Sequence, residues 1–258
     1  MRVLLPPSET KRDGGDGPTV DLSSLLCADR LTDTRRRVSS AVAQLAKNAA
    51  TCMATLRLGP KLAFEVERNR TLMTSPTMPA IDRYTGVLFD GLSSLTLDSR
   101  ARGDLMAHVV MQSALWGPIA ASDPIPAYRL SHNSRLPKLS ASLTATWNRA
   151  TATLPELWTG LVLDARSEGY VDLTPAPDEP RSEVYFLRVV TRDAGGNTRA
   201  LNHFNKKAKG ELLRSLAESG ALREVTSVDA LLSWAPSHGW ELERSAENEL
   251  TLVIPAAP

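Results

Sequence analysis

The sequence predicts a single mixed α/β domain in which helices surround a mixed β-sheet. Three observations predict it. The chain has 258 residues, which suits one large domain or two small ones and is ample for a core. Segments with apolar residues three and four apart alternate with short apolar runs along the whole length, forming neither a clean βαβ series nor an all-β pattern. The connections include both a hairpin and crossovers, as a mixed sheet requires. No internal repeat or low-complexity stretch divides the chain, so residues 1–258 are read as one domain.

"RVLL" (2–5) reads as a strand, and "PPSETKRDGGDGP" after it is a loop by its breakers. "LTDTRRRVSSAVAQLAKNAATCMATLRL" predicts one long helix, with Thr34 as cap and Val38, Val42, Leu45, Ala49, Cys52, Met53 and Leu56 on one face. "LGPK" (58–61) interrupts it and "LAFEVERNR" predicts a shorter helix, making a helical hairpin over about 34–70. Ile81, Tyr84, Leu88 and Leu92 keep helical spacing, and "DSRARGDLMAH" continues as helix. "VVMQSALWG" (109–117) fits a buried strand. "PIAASDPIPAYRLSHNSRLP" reads as a long loop, and "KLSASLTATWNRATATL" as a helix with Leu139, Leu143 and Trp147 aligned. "GLVLDARSEGYVDL" is a buried strand, a turn and a short element. "EVYFLRVVTRDAGGNTRALNHF" alternates as a hairpin turned by "AGGN". Asn205 caps the next predicted helix, with Leu212, Leu213, Leu216 and Ala217 on one face and Gly220 as stop. "SVDALLSWAP" is a short helix, and "WELERS" and "ELTLVI" are closing strands.

Composition excludes several classes. Hydrophobic residues make up 42% and charged residues 23%, with a formal net charge of +1, so a surface that grips nucleic acid all over is not expected. No apolar run reaches the roughly 18 residues that span a membrane. "MRVLLPPSETK" is too briefly apolar for a secretory signal, so a cytoplasmic location is expected. Two cysteines, Cys27 and Cys52, make no disulfide framework, and Cys52 falls on an apolar helix face. The four histidines are scattered; no metal site and no cofactor is expected. The triad, zinc-protease and dinucleotide signatures are absent.

Four segments bear candidate chemistry. "PPSETK" leaves the first strand and offers Ser8, Glu9, Thr10 and Lys11, where the plain alternative is a polar turn. "RYTG" offers Tyr84 and Thr85, although Tyr84 also suits a core position. "SDPIPAYRLSHNSRL" offers Arg129 and Arg135, whose planar guanidinium groups suit phosphate or carboxylate. "NHFNKKAKG" offers His203, Lys206, Lys207 and Lys209. The lysines crowd a helix start, where each cation is unfavourable by roughly 0.3–1 kcal/mol. A bound anion would explain them, and so would a screened, solvated surface. The Arg35–Arg37 run fans around its helix and reads as solvated. Asp164 in "GLVLDARS" has no assignable partner.

Taken in order, these segments resemble the YaaA family of bacterial peroxide stress proteins. "LLPPSETK" stands where that family has a strand and an "SPAKT"-like loop, with Glu9 at the position of its commoner Ala. "YTGV" (84–87), "QSALWGPIAASDPIPAYRLSHN" (112–133), "LDARSEGYVDL" and "HFNKKAKG" (203–210) match its further signatures, from residue 1 to about 254. The resemblance implies a single mixed α/β domain with a helix-hairpin-helix-like element, DNA bound in a positively charged cleft, and protection against peroxide. "LRLGPKLAFEVER" is the candidate for that element. Gly59 permits amide–phosphate contacts in its turn, and Pro60 removes one donor. The resemblance thus gathers Ser8, Glu9, Lys11, Tyr84, Thr85, Arg129, Lys206, Lys207 and Lys209 around one cleft of a monomer. The alternative is an enzyme acting on a small anionic or nucleotide-like substrate in the same cleft, with Glu9 or a lysine as acid or base.

Overall fold

The computed structural model describes residues 1–177, 183–192, 198–200 and 204–255. Strand β1 (Arg2–Leu5) leads into the predicted loop, which holds a short β2 (Gly17–Thr19). Helix α1 (Ala28–Ala46) begins well before Thr34, which is buried inside it rather than capping it. The turn into α1 is made by Cys27 at φ 54°, and Asp29 in the first turn complements the helix dipole. The single long helix that periodicity predicts is in fact broken. Asn48 adopts an extended conformation and its side chain accepts the Thr51 N–H at 2.9 Å, starting α2 (Ala49–Leu56). The break is invisible to apolar spacing because the buried residues stay in phase across it. After the Gly59–Pro60 turn comes α3 (Phe64–Arg70), as predicted.

The Ile81–Leu92 stretch also splits. β3 (Pro76–Pro79) runs into α4 (Ala80–Arg83), the chain extends at Tyr84, and Gly86 (φ 99°) turns it into α5 (Val87–Leu92). Helix α6 (Ser99–His108) starts on the Asp98 carboxylate, which accepts the Ala101 N–H at 2.7 Å. Residues 109–117 form a hairpin rather than one strand: β4 (Val109–Ser113) turns back into β5 (Gly117–Ala120). Gly117 sits at φ 69°, and a Cβ there would lie 2.4 Å from the Trp147 ring, so the turn requires glycine. A two-residue β6 (Pro124–Ile125) interrupts the predicted loop, and α7 (Leu143–Thr151) starts on the Ser142 cap.

Then come β7 (Val162–Asp164), α8 (Glu168–Val171), β8 (Val184–Arg192) and β9 (Thr198–Ala200). β8 and β9 pair as the predicted hairpin; its "AGGN" turn lies outside the described residues. Helix α9 (Phe204–Glu218) already includes Asn205, which is therefore not its cap, and Gly220 at φ 82° follows its end. α10 (Ala221–Glu224), α11 (Val228–Ser237), β10 (Glu241–Ala246) and β11 (Glu249–Pro255) complete the fold.

The main sheet runs β10-β11-β8-β7-β1-β4-β5, with β9 added beside β8; β2, β3 and β6 form a small second sheet. β11, β8, β7, β1 and β4 are parallel, and the edges β10 and β5 are antiparallel. The central strands are covered on both faces, which is why Val3, Leu4, Leu5 and all of β4 are buried. No helix among the described residues is long and apolar enough to cross a membrane.

Arg35 departs from its expected solvated place. It is fully buried, and its guanidinium donates to the carbonyls of Trp116, Leu26 and Pro118 at 2.9, 2.7 and 2.8 Å. It thereby ties α1 to the β4–β5 turn, while Arg36 and Arg37 stay exposed. Helices α5 and α9 cross closely. A Cβ on Gly210 would lie 2.0 Å from the Leu88 carbonyl oxygen, so only glycine fits at this crossing.

Candidate functional site

Parallel strands leave a crevice beyond their carboxyl ends, where successive loops diverge. Here Leu4 of β1 is in register with Asp164 of β7, so the segments starting at Pro6 and Ala165 emerge side by side. Helices α5 and α9 supply Leu88 and Lys206 to the same region. Two cavities result, of about 490 and 450 Å³, and both are lined by Pro6, Leu88, Ser167 and Lys206.

The first cavity brings together residues of all four candidate segments. Lys11 and Tyr84 pair as an antiparallel bridge, joining "PPSETK" to "RYTG". Thr10 donates its hydroxyl to the Thr85 carbonyl at 3.2 Å and accepts from the Thr85 hydroxyl at 3.0 Å. Ser8 Oγ lies 3.2 Å from Thr10 Oγ1. Ser8, Glu9, Thr10 and Thr85 all line this cavity, as does Lys206.

The Glu9 carboxylate is anchored on both oxygens. Ser131 Oγ donates to Oε1 at 2.8 Å, and the Arg129 guanidinium donates to Oε2. Burial pushes this carboxyl up, but the Ser131 hydroxyl, Arg129 and Lys11 outweigh it and hold Glu9 below its ordinary value. Arg129 is itself fixed by Asn69 of α3, which accepts its N–H and donates to its carbonyl, both at 2.8 Å. The Arg129 guanidinium is therefore bound to Glu9 already.

Lys11 turns away from the cavity. Its ammonium is buried 4.1 Å from the centre of the Tyr128 ring and 5.5 Å from that of Tyr84, and it donates to the Glu9 carbonyl at 3.3 Å. Burial lowers its pKa to about 7; Arg129 and Arg68 push the same way, and Glu65 and Glu9 oppose them. Behind it, a hydroxyl line runs from Tyr84 to Tyr128 to Ser113 at 2.7 Å per step, and Ser113 accepts the Leu115 and Trp116 N–H groups. Tyr84 is thus buried and satisfied, and its phenol is raised further by burial.

The three lysines of α9 have three fates. Lys206 is exposed and lines both cavities. Lys207 is exposed and pairs with Glu211 at 3.2 Å, one turn along the same helix. Lys209 is buried and lines the second cavity, donating to the Ala165 carbonyl at 3.0 Å. Burial lowers its pKa to about 8, with Arg188 adding to the shift and Asp164 opposing it. Arg135 is exposed and lines neither cavity, and His203 lies outside the described residues.

Several contributors carry little sequence signal. Ser131, His132 and Tyr170 line the first cavity, and Phe186 and Arg188 the second. Asp164, which has no assignable partner in the sequence, pairs with Arg166 through two hydrogen bonds of 2.8 and 2.6 Å. Arg166 also donates to the Thr174 carbonyl at 2.9 Å, so the pair braces the loop after β7. The spacing "DAR" was the available sign, since both side chains can turn to the same side once the strand ends.

Comparison with known proteins gives a consistent picture. A family model described as "Peroxide stress protein YaaA" matches residues 1–246. A UPF0246 protein of Corynebacterium glutamicum is 37% identical over 257 residues, covering 98% of this chain and 99% of that protein. A UPF0246 protein of Streptomyces coelicolor is 37% identical over 252 residues, covering 95% and 93%. An uncharacterized protein of Campylobacter jejuni is 24% identical over 239 residues.

Proposed function

We propose a function from one premise: this chain belongs to the YaaA family of peroxide stress proteins. It acts in the defence against peroxide by binding an anionic ligand of nucleotide size in the cleft beyond β1, β7 and β8. The observation that carries this reading is the shared wall. Lys206 lines one cavity together with Ser8, Glu9 and Thr10, and the next together with Lys209. Cavities of about 490 and 450 Å³ have the size of small-ligand sites rather than of a duplex groove. Lys209, with a proton affinity near neutrality, also suits acid–base work on a bound substrate.

Calorimetric titration with pyrophosphate and mononucleotides tests the reading. Wild type is expected to bind them, and Lys206→Ala to bind at least about tenfold more weakly, the loss of one charge-assisted contact. Failure of every small anion to bind at low salt removes the reading.

A second reading is that DNA crosses the mouth of the cleft. It is favoured by Asn69, which joins α3 to Arg129, the partner of the cavity-lining Glu9. Exposed Gly59 and Lys61, in the turn between α2 and α3, and exposed Lys206 and Lys207 would then contact one backbone, the former as a helix-hairpin-helix-like element. Binding of duplex DNA with a steep salt dependence, undiminished by mononucleotides, selects this reading over the first.

A further inference from the structure

The two cavities differ in chemistry although they share a wall. The first is lined by the hydroxyls of Ser8, Thr10, Thr85 and Ser131, and its acidic group is Glu9. That carboxylate is ionised and immobilised, with one hydrogen bond on each oxygen from Ser131 and Arg129. A carboxylate has about four acceptor sites, so each oxygen keeps one for a ligand. Two fixed acceptors side by side match two adjacent hydroxyl donors, and they repel a phosphate.

The second cavity has the opposite character. Lys209 is nine-tenths buried and lines it, yet among the described residues one acceptor, the Ala165 carbonyl, takes one of its three ammonium protons. The ammonium also lies 5.4 Å from the centre of the Phe186 ring, and two of its donors meet no oxygen or nitrogen acceptor among the described residues. Lys206 stands at the boundary, lining both cavities. Arg188 gives Nε and one terminal nitrogen to Glu249 at 3.0 and 2.9 Å, and Arg166 is taken up by Asp164, so Lys209 and Lys206 face the cavity with the remaining Arg188 donors beside them. A buried ammonium with unmet donors gains most from an anion that carries several acceptors, such as a phosphate.

We propose that the cleft takes a phosphorylated ribose, with its phosphate on Lys209 and Lys206 and its vicinal hydroxyls on Glu9. This deepens the small-anion reading above and rests on it. The shared chemistry is a phosphomonoester joined to a diol, as found in a ribonucleotide and in a free pentose phosphate. Phe186 lines the second cavity with its ring centre 5.4 Å from the Lys209 ammonium and 5.8 Å from the Arg188 guanidinium, so a nucleobase would gain contact with the ring area those cations leave, and a free pentose phosphate would not.

Isothermal titration at one fixed salt tests it with five probes: adenosine monophosphate, its deoxy counterpart, ribose phosphate, deoxyribose phosphate and inorganic phosphate. Wild type is expected to prefer each ribose form over its deoxy form by about tenfold, the worth of one hydrogen bond to a charged group. Glu9→Gln should cut that preference to about threefold or less while leaving the affinities of the deoxy forms in place. Lys209→Met should weaken all five probes by a similar factor, with the ribose preference kept; a circular dichroism melt checks that each variant folds. The source of the ribose is read from the unsubstituted pair: a nucleotide if adenosine monophosphate binds more tightly, a free pentose phosphate if the two are equal. Binding of phosphate-bearing probes with no ribose preference overturns this inference and leaves the small-anion reading standing. A Lys209→Met chain that binds like wild type also overturns it. If no probe binds to wild type, both fall together.

Discussion

The Lys11 ammonium lies 4.1 Å from the centre of the Tyr128 ring, and its recorded hydrogen bond is to the Glu9 carbonyl at 3.3 Å. A cation held this way is costly when charged, which is why burial brings its pKa down to about 7 from the usual 10.5. The folded chain therefore binds fewer protons than the unfolded chain between about pH 7 and 10.5. Stability should rise with pH across that window, by up to about 1.4 kcal/mol per pH unit for one such group. Lys209, lowered to about 8, adds in the upper part. Urea denaturation of wild type and Lys11→Met between pH 6.5 and 9.5 checks this; equal slopes for the two chains would refute it.

Arg35 makes a different prediction from its neighbours. Its guanidinium satisfies two carbonyls at the β4–β5 turn and that of Leu26 just before α1, so Arg35→Met should destabilise by about 3 kcal/mol through unmet buried acceptors. Arg36→Ala and Arg37→Ala, at exposed positions, should stay within about 0.5 kcal/mol of wild type. Chemical denaturation of the three variants separates a structural arginine from two solvated ones.

Gly210 faces the Leu88 carbonyl where α9 crosses α5. Gly210→Ala must push the helices apart, costing about 1–3 kcal/mol and displacing Lys206 and Lys209 from the cleft wall. Both the melting temperature and ligand affinity should drop. Gly103→Ala, where a Cβ meets open space within α6, should be neutral or slightly stabilising.

The lysines should separate under salt and pH. If duplex DNA binds, Lys206→Ala and Lys207→Ala should each lower the slope of log affinity against log salt by about one. For small anions, affinity should fall as pH rises past about 8, because Lys209 then loses its proton, and Lys209→Met should show no such fall. Titrations across salt and pH with each variant check both.

Neither cysteine is built to react with peroxide. Burial and Glu156 push the Cys27 thiol up to about 11, and burial raises that of Cys52. Mass spectrometry after peroxide treatment should find both thiols oxidised more slowly in the native than in the unfolded chain. Cells carrying the Cys27→Ser, Cys52→Ser chain should tolerate peroxide as wild type does; loss of tolerance would place thiol chemistry in the function after all.

Much of the fold is legible because apolar spacing and local breakers act over a few residues. "RVLL", the helix ending before Gly220 and the two closing strands come directly from such signals. Breaks made by single polar groups are not legible in this way. Asn48 stops a helix by capping the next one, and Gly117 turns a strand because Trp147 occupies the space a side chain would need. Periodicity registers neither.

What the sequence determined by itself is the mixed α/β class, the family and the candidate segments: residues 8–11, 84–85, 129–135 and 206–209. What tertiary structure decided is the duty of each side chain within them. Lys206, Lys207 and Lys209 are alike as letters, but one lines both cavities, one pairs with Glu211 and one is buried against the Ala165 carbonyl. Lys11 lies under two tyrosines, and Arg129 is taken up by Glu9. The physical reason is that a charge acts according to its desolvation and its partners, and those partners range from the next helical turn, as Glu211 is for Lys207, to distant segments, as Glu9 is for Arg129.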